Sequence, residues 1–179
     1  MNRHLKFNVL TLCGIALLLS FPLSCSSDTS GAPLWENLTA GMTPAQVLKT
    51  IQGSREEPNR NELRKGNICQ VWLPEFKDFD SRFIAAFGFR EDRLVQIELF
   101  LKKDYPGLRA FQELAPKLEN RYGPASTSNF AGLTPERLKA RDLELVVEWQ
   151  LANRHIYCTY RRMDDSVTVD YVTLETITD

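Results

Sequence analysis

The sequence predicts an α+β fold built from two tandem helix–strand–strand–strand units. Three observations predict it. Core-facing apolar residues recur at every second position in the strands of Phe83–Leu101 and again between Leu143 and Tyr171, the period-2 signature of half-buried strands. Two other stretches, around Val47–Ile51 and Leu108–Tyr122, repeat apolar residues at helical spacing. The second half also echoes the first. "FIAAFGFREDRLVQIELF" starts at Phe83 and "HIYCTYRRMDDSVTVDYV" at His155, an offset of 155 − 83 = 72, and the glycines that close the two helices, Gly53 and Gly123, lie 123 − 53 = 70 apart.

The chain begins "MNRHLK", with Arg3 and Lys6 and no acid, then runs through 17 mainly apolar residues, Phe7 to Leu23 (23 − 7 + 1). A basic start, a short apolar middle and small residues beyond it are the layout of a secretory signal. A spanning helix needs about 20 apolar residues, and this run is interrupted by Asn8, Ser20 and Pro22. Residues 1–24 are therefore expected to be a signal peptide. "PLSC" resembles the bacterial lipobox. The resemblance implies that Cys25 becomes the N-terminal residue and carries a thioether diacylglycerol and an amide-linked acyl chain such as palmitate. Several buried chains hold a protein on a bilayer where one gives only marginal binding. By the lipoprotein sorting pattern, Ser26 after the cysteine implies the outer membrane and a periplasm-facing domain. Cleavage near "SCS" by the ordinary route, giving a free periplasmic protein, is the alternative. "SSDTSGAP" follows, too poor in apolar residues to fold, and residues 25–34 are expected to be a flexible tether.

The first helix is expected from Thr43, an N-cap residue followed by Pro44 and, at the capping-box position, Gln46; Val47, Leu48 and Ile51 give its core stripe and Gly53 its stop. "SREEPNRNELRKGN" interleaves acids and bases as a solvated connection does. "ICQVWLPEF" is a strand that Pro74 is expected to end. In the hairpin that follows, Phe83, Ala85, Phe87 and Phe89 face the core, "REDR" turns, and Val95, Ile97, Leu99 and Leu101 return opposite Gln96, Glu98 and Lys102, with Phe100 an apolar exception on the polar side. Leu108, Phe111, Leu114, Leu118 and Tyr122 define the second helix, which carries Pro116 inside and ends at Gly123 and Pro124. A linker with a turn at "TPER" leads to three strands, with turns at "LANR" and "MDDS". The units span 35–103 and 104–179.

Composition and chemistry narrow the function. Without the leader, Lys plus Arg falls from 22 to 20 against 23 acids, a charge near −3, which does not suggest nucleic acid as a partner. Only His155 remains of the two histidines, and Cys158, three residues on, points to the other side of a strand, so the two make no dyad. No zinc spacing, phosphate loop or dinucleotide fingerprint occurs, and the Glu56–Glu57 and Asp164–Asp165 pairs sit in a loop and a turn. No catalytic residue, metal site, cofactor or small-molecule substrate is predicted. Cys69 and Cys158 allow one disulfide. It would close a loop of about 90 residues and contribute on the order of 4–5 kcal/mol; the alternative is two buried thiols acting as small apolar groups.

"LTAGMTPAQVLKTIQG" resembles the opening of the BamE/SmpA–OmlA lipoprotein family, "FREDRLVQIELF" its hairpin, and "ENRYGP" a helix end found in envelope lipoproteins of this type. The tandem arrangement is similar to the β-lactamase inhibitor protein fold. This resemblance implies one antiparallel sheet with helices on one face and, on the other, an open surface that binds an envelope protein. By alternation that surface holds Gln96, Glu98, Phe100, Lys102, Glu144, Glu148, Tyr157, Thr159, Arg161, Thr168 and Asp170. Phe100, Tyr157, Arg161, Glu98 and Glu148 are the expected partner-binding residues. The expected function is non-catalytic: a lipid-anchored binding or assembly module of the bacterial envelope. The alternatives are an inhibitor of a periplasmic or secreted enzyme and, third, a carboxylate-based hydrolase.

Overall fold

The computed structural model describes residues 33–63, 66–130 and 132–173; the leader, Cys25 and residues 26–32 of the tether lie outside them, whereas Pro33 and Leu34, expected as the end of the tether, belong to a strand and Leu34 is buried. The described chain begins with a small hairpin, β1 (Pro33–Trp35) and β2 (Leu38–Thr39), then α1 (Pro44–Thr50) and β3 (Arg55–Glu56). A meander of long strands follows: β4 (Ile68–Asp78), β5 (Ser81–Arg90) and β6 (Arg93–Lys102). The second half holds α2 (Gly107–Tyr122), β7 (Thr127–Ser128), the one-turn α3 (Pro135–Leu138) and a second meander, β8 (Glu144–Gln150), β9 (Arg154–Arg161) and β10 (Ser166–Thr173). Apart from the β1–β2 hairpin, all strands join one antiparallel sheet in the order β3-β4-β5-β6-β10-β9-β8-β7.

The α+β class and the large antiparallel sheet are as expected, but the division into two equivalent units does not hold. The two meanders share one continuous sheet across the β6–β10 seam, and their helical parts are unlike. α1 has 7 residues and packs on β4, whereas α2 has 16 and crosses β9 and β10. A similar offset between two hairpins follows from similar strand and turn lengths, without duplication of the whole unit.

Local chemistry places the helices. Gln46 N donates to Thr43 Oγ1 at 3.4 Å and Thr43 N donates to Gln46 Oε1 at 2.8 Å, the capping box read in the sequence. α2 has Pro106 at its N-cap and no side-chain cap of its own. The missing acceptor comes from the β9–β10 turn: Gly107 N donates to Asp165 Oδ1 at 2.9 Å, and Lys103 Nζ donates to Asp165 Oδ2 at 2.7 Å. Gly107 is obligatory there, because a Cβ would come within 2.6 Å of the Asp165 carbonyl oxygen. Two helix faces then pack on one side of the sheet. Val47 of α1, and Ala110, Phe111, Leu114 and Leu118 of α2, are buried with Phe83, Phe87, Ile97, Leu99, Trp149 and Tyr171. Each such aromatic or aliphatic side chain contributes roughly 1.5–3 kcal/mol.

Two strand expectations are corrected. Pro74 does not end β4, which continues to Asp78 through a register shift between Leu73 and Phe76. β3 pairs only with Val71 and Trp72, so Pro74 lies on an edge where its missing N–H breaks no ladder. A second shift, between Gly88 and Phe89, brings Leu94 opposite Phe89, and Leu94 rather than Val95 enters the core. β7 was not expected; it closes the other edge, where Asn129 Oδ1 accepts from Val146 N at 2.7 Å in place of a backbone carbonyl.

The two cysteines are free. Cys69 lies on β4 beside Gly88 and Cys158 on β9 beside Val169, with β5, β6 and β10 between. Four strand spacings amount to about 19 Å, against the roughly 6 Å between Cα atoms that a bridge requires. The thiols also face opposite sides of the sheet, since Cys158 belongs to the core under the helices and Cys69 does not. The two-thiol alternative is the one the fold contains. Burial pushes the Cys69 thiol up to about 11 and raises that of Cys158 further.

Candidate functional site

The register assigns every residue of the face turned away from the helices. One cross-strand row traverses all eight strands: Arg55, Trp72, Ala86, Glu98, Asp170, Tyr157, Glu148 and Thr127. The neighbouring row runs Ile84, Phe100, Thr168, Thr159 and Val146. Of these, Glu98, Phe100, Glu148, Tyr157, Thr159, Thr168 and Asp170 are residues that alternation in the sequence put together, and the pairing of β6 with β10 makes one surface of them; Arg55, Trp72, Ile84, Ala86, Thr127 and Val146 were not among the expected ones.

That surface is not the open one expected. Gln96, Glu98, Thr159, Thr168 and Asp170 are each exposed to 2% or less. The half-exposed groups are Trp72, Ile84, Phe100, Val146, Glu148, Tyr157 and Arg161. Part of the reason is the charged connection before β4, which does not simply extend into solvent. It folds back so that Leu63 and the buried Asn67 lie over Gly88, where a Cβ would stand 2.9 Å from Leu63 Cδ1 and 3.3 Å from Asn67 Cβ. A hydrogen-bonded chain then runs along the face: Asn67 Nδ2 donates to Gln96 Oε1 at 2.8 Å and Gln96 Nε2 donates to Asp170 Oδ1 at 3.1 Å. The chain satisfies the Asn67 and Gln96 amide N–H groups, while the buried Asn67 Oδ1 has no partner among the described residues.

The predicted partner-binding residues separate into two clusters. Phe100, Arg161 and Glu98 come together with Glu62 and Leu63 around a cleft of about 330 Å³. Arg161 pairs there with Asp164 at 3.2 Å. Glu98 lines the cleft but is only 2% exposed, and is not the surface contact that was expected. Tyr157 and Glu148 lie on β9 and β8, two and three strands from Phe100, with His155. The His155 Nδ1 is 2.8 Å from Glu148 Oε1 and 3.1 Å from the Tyr157 hydroxyl, and Thr127 Oγ1 donates to Glu148 Oε2 at 3.1 Å. Burial, and then the Glu148 carboxylate, push the Tyr157 phenol up to about 12, so it stays a neutral donor at any physiological pH.

His155, Glu62, Leu63 and Asn67 were not singled out by alternation. One signal pointed to the loop: an isolated glycine inside a strand, Gly88, marks a close approach by another segment. Glu98 and Asp170 face each other across adjacent strands, but of the two only Glu98 reaches the cleft. Among the described residues no group of three His, Cys, Asp or Glu is placed to hold a metal, and no helix is long and apolar enough to cross a membrane. No family model, curated protein or solved structure matches the chain, so this face is read from its own residues.

Proposed function

We propose that the chain is a lipid-anchored envelope protein that holds another envelope protein through the sheet face its helices leave uncovered, in the manner the BamE-like resemblance implies. The observation that carries this reading is the set of half-exposed apolar groups in two neighbouring rows of that face, Trp72 and Tyr157 in one and Ile84, Phe100 and Val146 in the other, set among charged residues. Aromatic anchors among polar neighbours are the composition of protein-binding surfaces. The leader and Cys25 supply the address, and the tether supplies reach.

The test is a photo-crosslinking amino acid at position 100 in intact cells, followed by identification of what is captured. A membrane-assembly partner, lost on joint alanine replacement of Phe100, Tyr157 and Arg161, is the expected result. Capture of a soluble hydrolase alone would transfer the reading to an inhibitor. No adduct from position 100, with adducts from the helix face instead, would remove the uncovered face from consideration.

A further inference from the structure

The same face is electrically lopsided, and its charge says what kind of segment it takes. At the end of the sheet formed by the β4–β5 hairpin, Lys77 pairs with Arg82 and Arg82 pairs with Lys102. Three exposed cations thus occupy directly opposed positions on adjacent strands, about 5 Å apart at Cβ, an arrangement that destabilises a sheet. The hairpin has acids that could have relieved it. Two of them are committed elsewhere: Arg121 of α2 grips Asp78 through two bonds of 2.5 and 2.6 Å, and Lys117 pairs with Asp80 at 3.3 Å; Glu75, exposed on β4 two residues before Lys77, offsets part of the charge of the three cations. On the uncovered face Arg82 has Asp104, itself 85% exposed, at 3.3 Å, while Lys102 reaches only the Pro74 carbonyl and Lys77 has no ion-pair partner among the described residues. The neighbouring row begins with the half-exposed Ile84 and Phe100.

Resting on the function proposed above, we infer that the partner presents an extended acidic segment, with carboxylates on the Lys77–Arg82–Lys102 row and apolar side chains on Ile84 and Phe100. Charge complementarity of this kind sets specificity and encounter rate. The weak exposed Arg82–Asp104 pair exchanges readily for a partner's carboxylate.

The probe is a fluorescein-labelled peptide alternating Glu and Leu, titrated with the full chain in detergent, beside a Lys–Leu counterpart and phosphatidylglycerol vesicles. The acidic peptide is expected to bind, the basic one not. Affinity should drop about tenfold between low and high salt, where screening shortens to a few ångströms, and again in the K77E/R82E/K102E variant. R82E alone should melt at or above the wild-type temperature, because it places an anion between two cations. Failure of the acidic peptide to bind, equal binding by the triple variant, vesicle binding in its place, or a lower melting temperature for R82E would each overturn the inference. The crosslink from position 100 keeps the two proposals apart. If it survives the triple variant, only the acidic character is lost; if it is absent from wild type, the face itself is.

Discussion

At the scale of single residues, Asp165 shows how one carboxylate in a turn holds a distant helix. It accepts from Gly107 N and from Lys103 Nζ, and the Lys103 hydrogen bond is the main reason its carboxyl sits below the usual aspartate range. A lowered carboxyl contributes stability that is present above its unfolded value, near 4, and is lost as pH falls through the lower folded value. Asp165→Asn should therefore flatten the acid limb of the stability–pH curve below about pH 4, read by urea melts at a series of pH values. Gly107→Ala tests the same contact sterically. Its Cβ would meet backbone rather than a movable side-chain end, so a loss of about 1–3 kcal/mol is expected in chemical denaturation.

At the scale of elements, the β4–β5 hairpin and α2 are joined by Arg121. Its guanidinium lies 3.7 Å from the centre of the Phe79 ring while holding both oxygens of Asp78. Phe79 and Asp80 turn the hairpin with positive φ values of 49° and 55° and without a glycine, so the turn relies on this clamp. Lysine can neither fork nor stack in the same way. Arg121→Lys is expected to cost about 1–2 kcal/mol, measurable by thermal melting. The cysteines belong to this scale too, since strand order separates them. Both should resist alkylation in the folded protein and react on unfolding, and reductant should leave electrophoretic mobility unchanged; a reductant-sensitive band would contradict the strand order itself.

At the scale of the whole molecule, one sheet serves two purposes. Its apolar side is covered by α1 and α2, and its polar side is partly closed by the loop that ends at Asn67. What remains half-exposed there is a strip, not a plain. Anchoring would hold that strip within the tether's reach of a bilayer. Cys25→Ser is expected to move the protein from the membrane fraction to the soluble one in fractionated cells, and an intact mass without acyl chains on the wild-type protein would withdraw the anchor.

The sequence by itself determined the α+β class, both main helices, the capping box of the first and the glycine that ends the second, and the strands of both meanders, because periodicity and capping within a segment are local properties. Alternation also grouped Glu98, Phe100, Glu148, Tyr157 and Arg161 on one side. Their true exposure, the return of Leu63 and Asn67 over Gly88, the cap supplied by Asp165, the joining of β6 to β10 and the separation of Cys69 from Cys158 were decided only in three dimensions. Each depends on which distant segments become neighbours, and a pattern of period two or 3.6 carries no record of that.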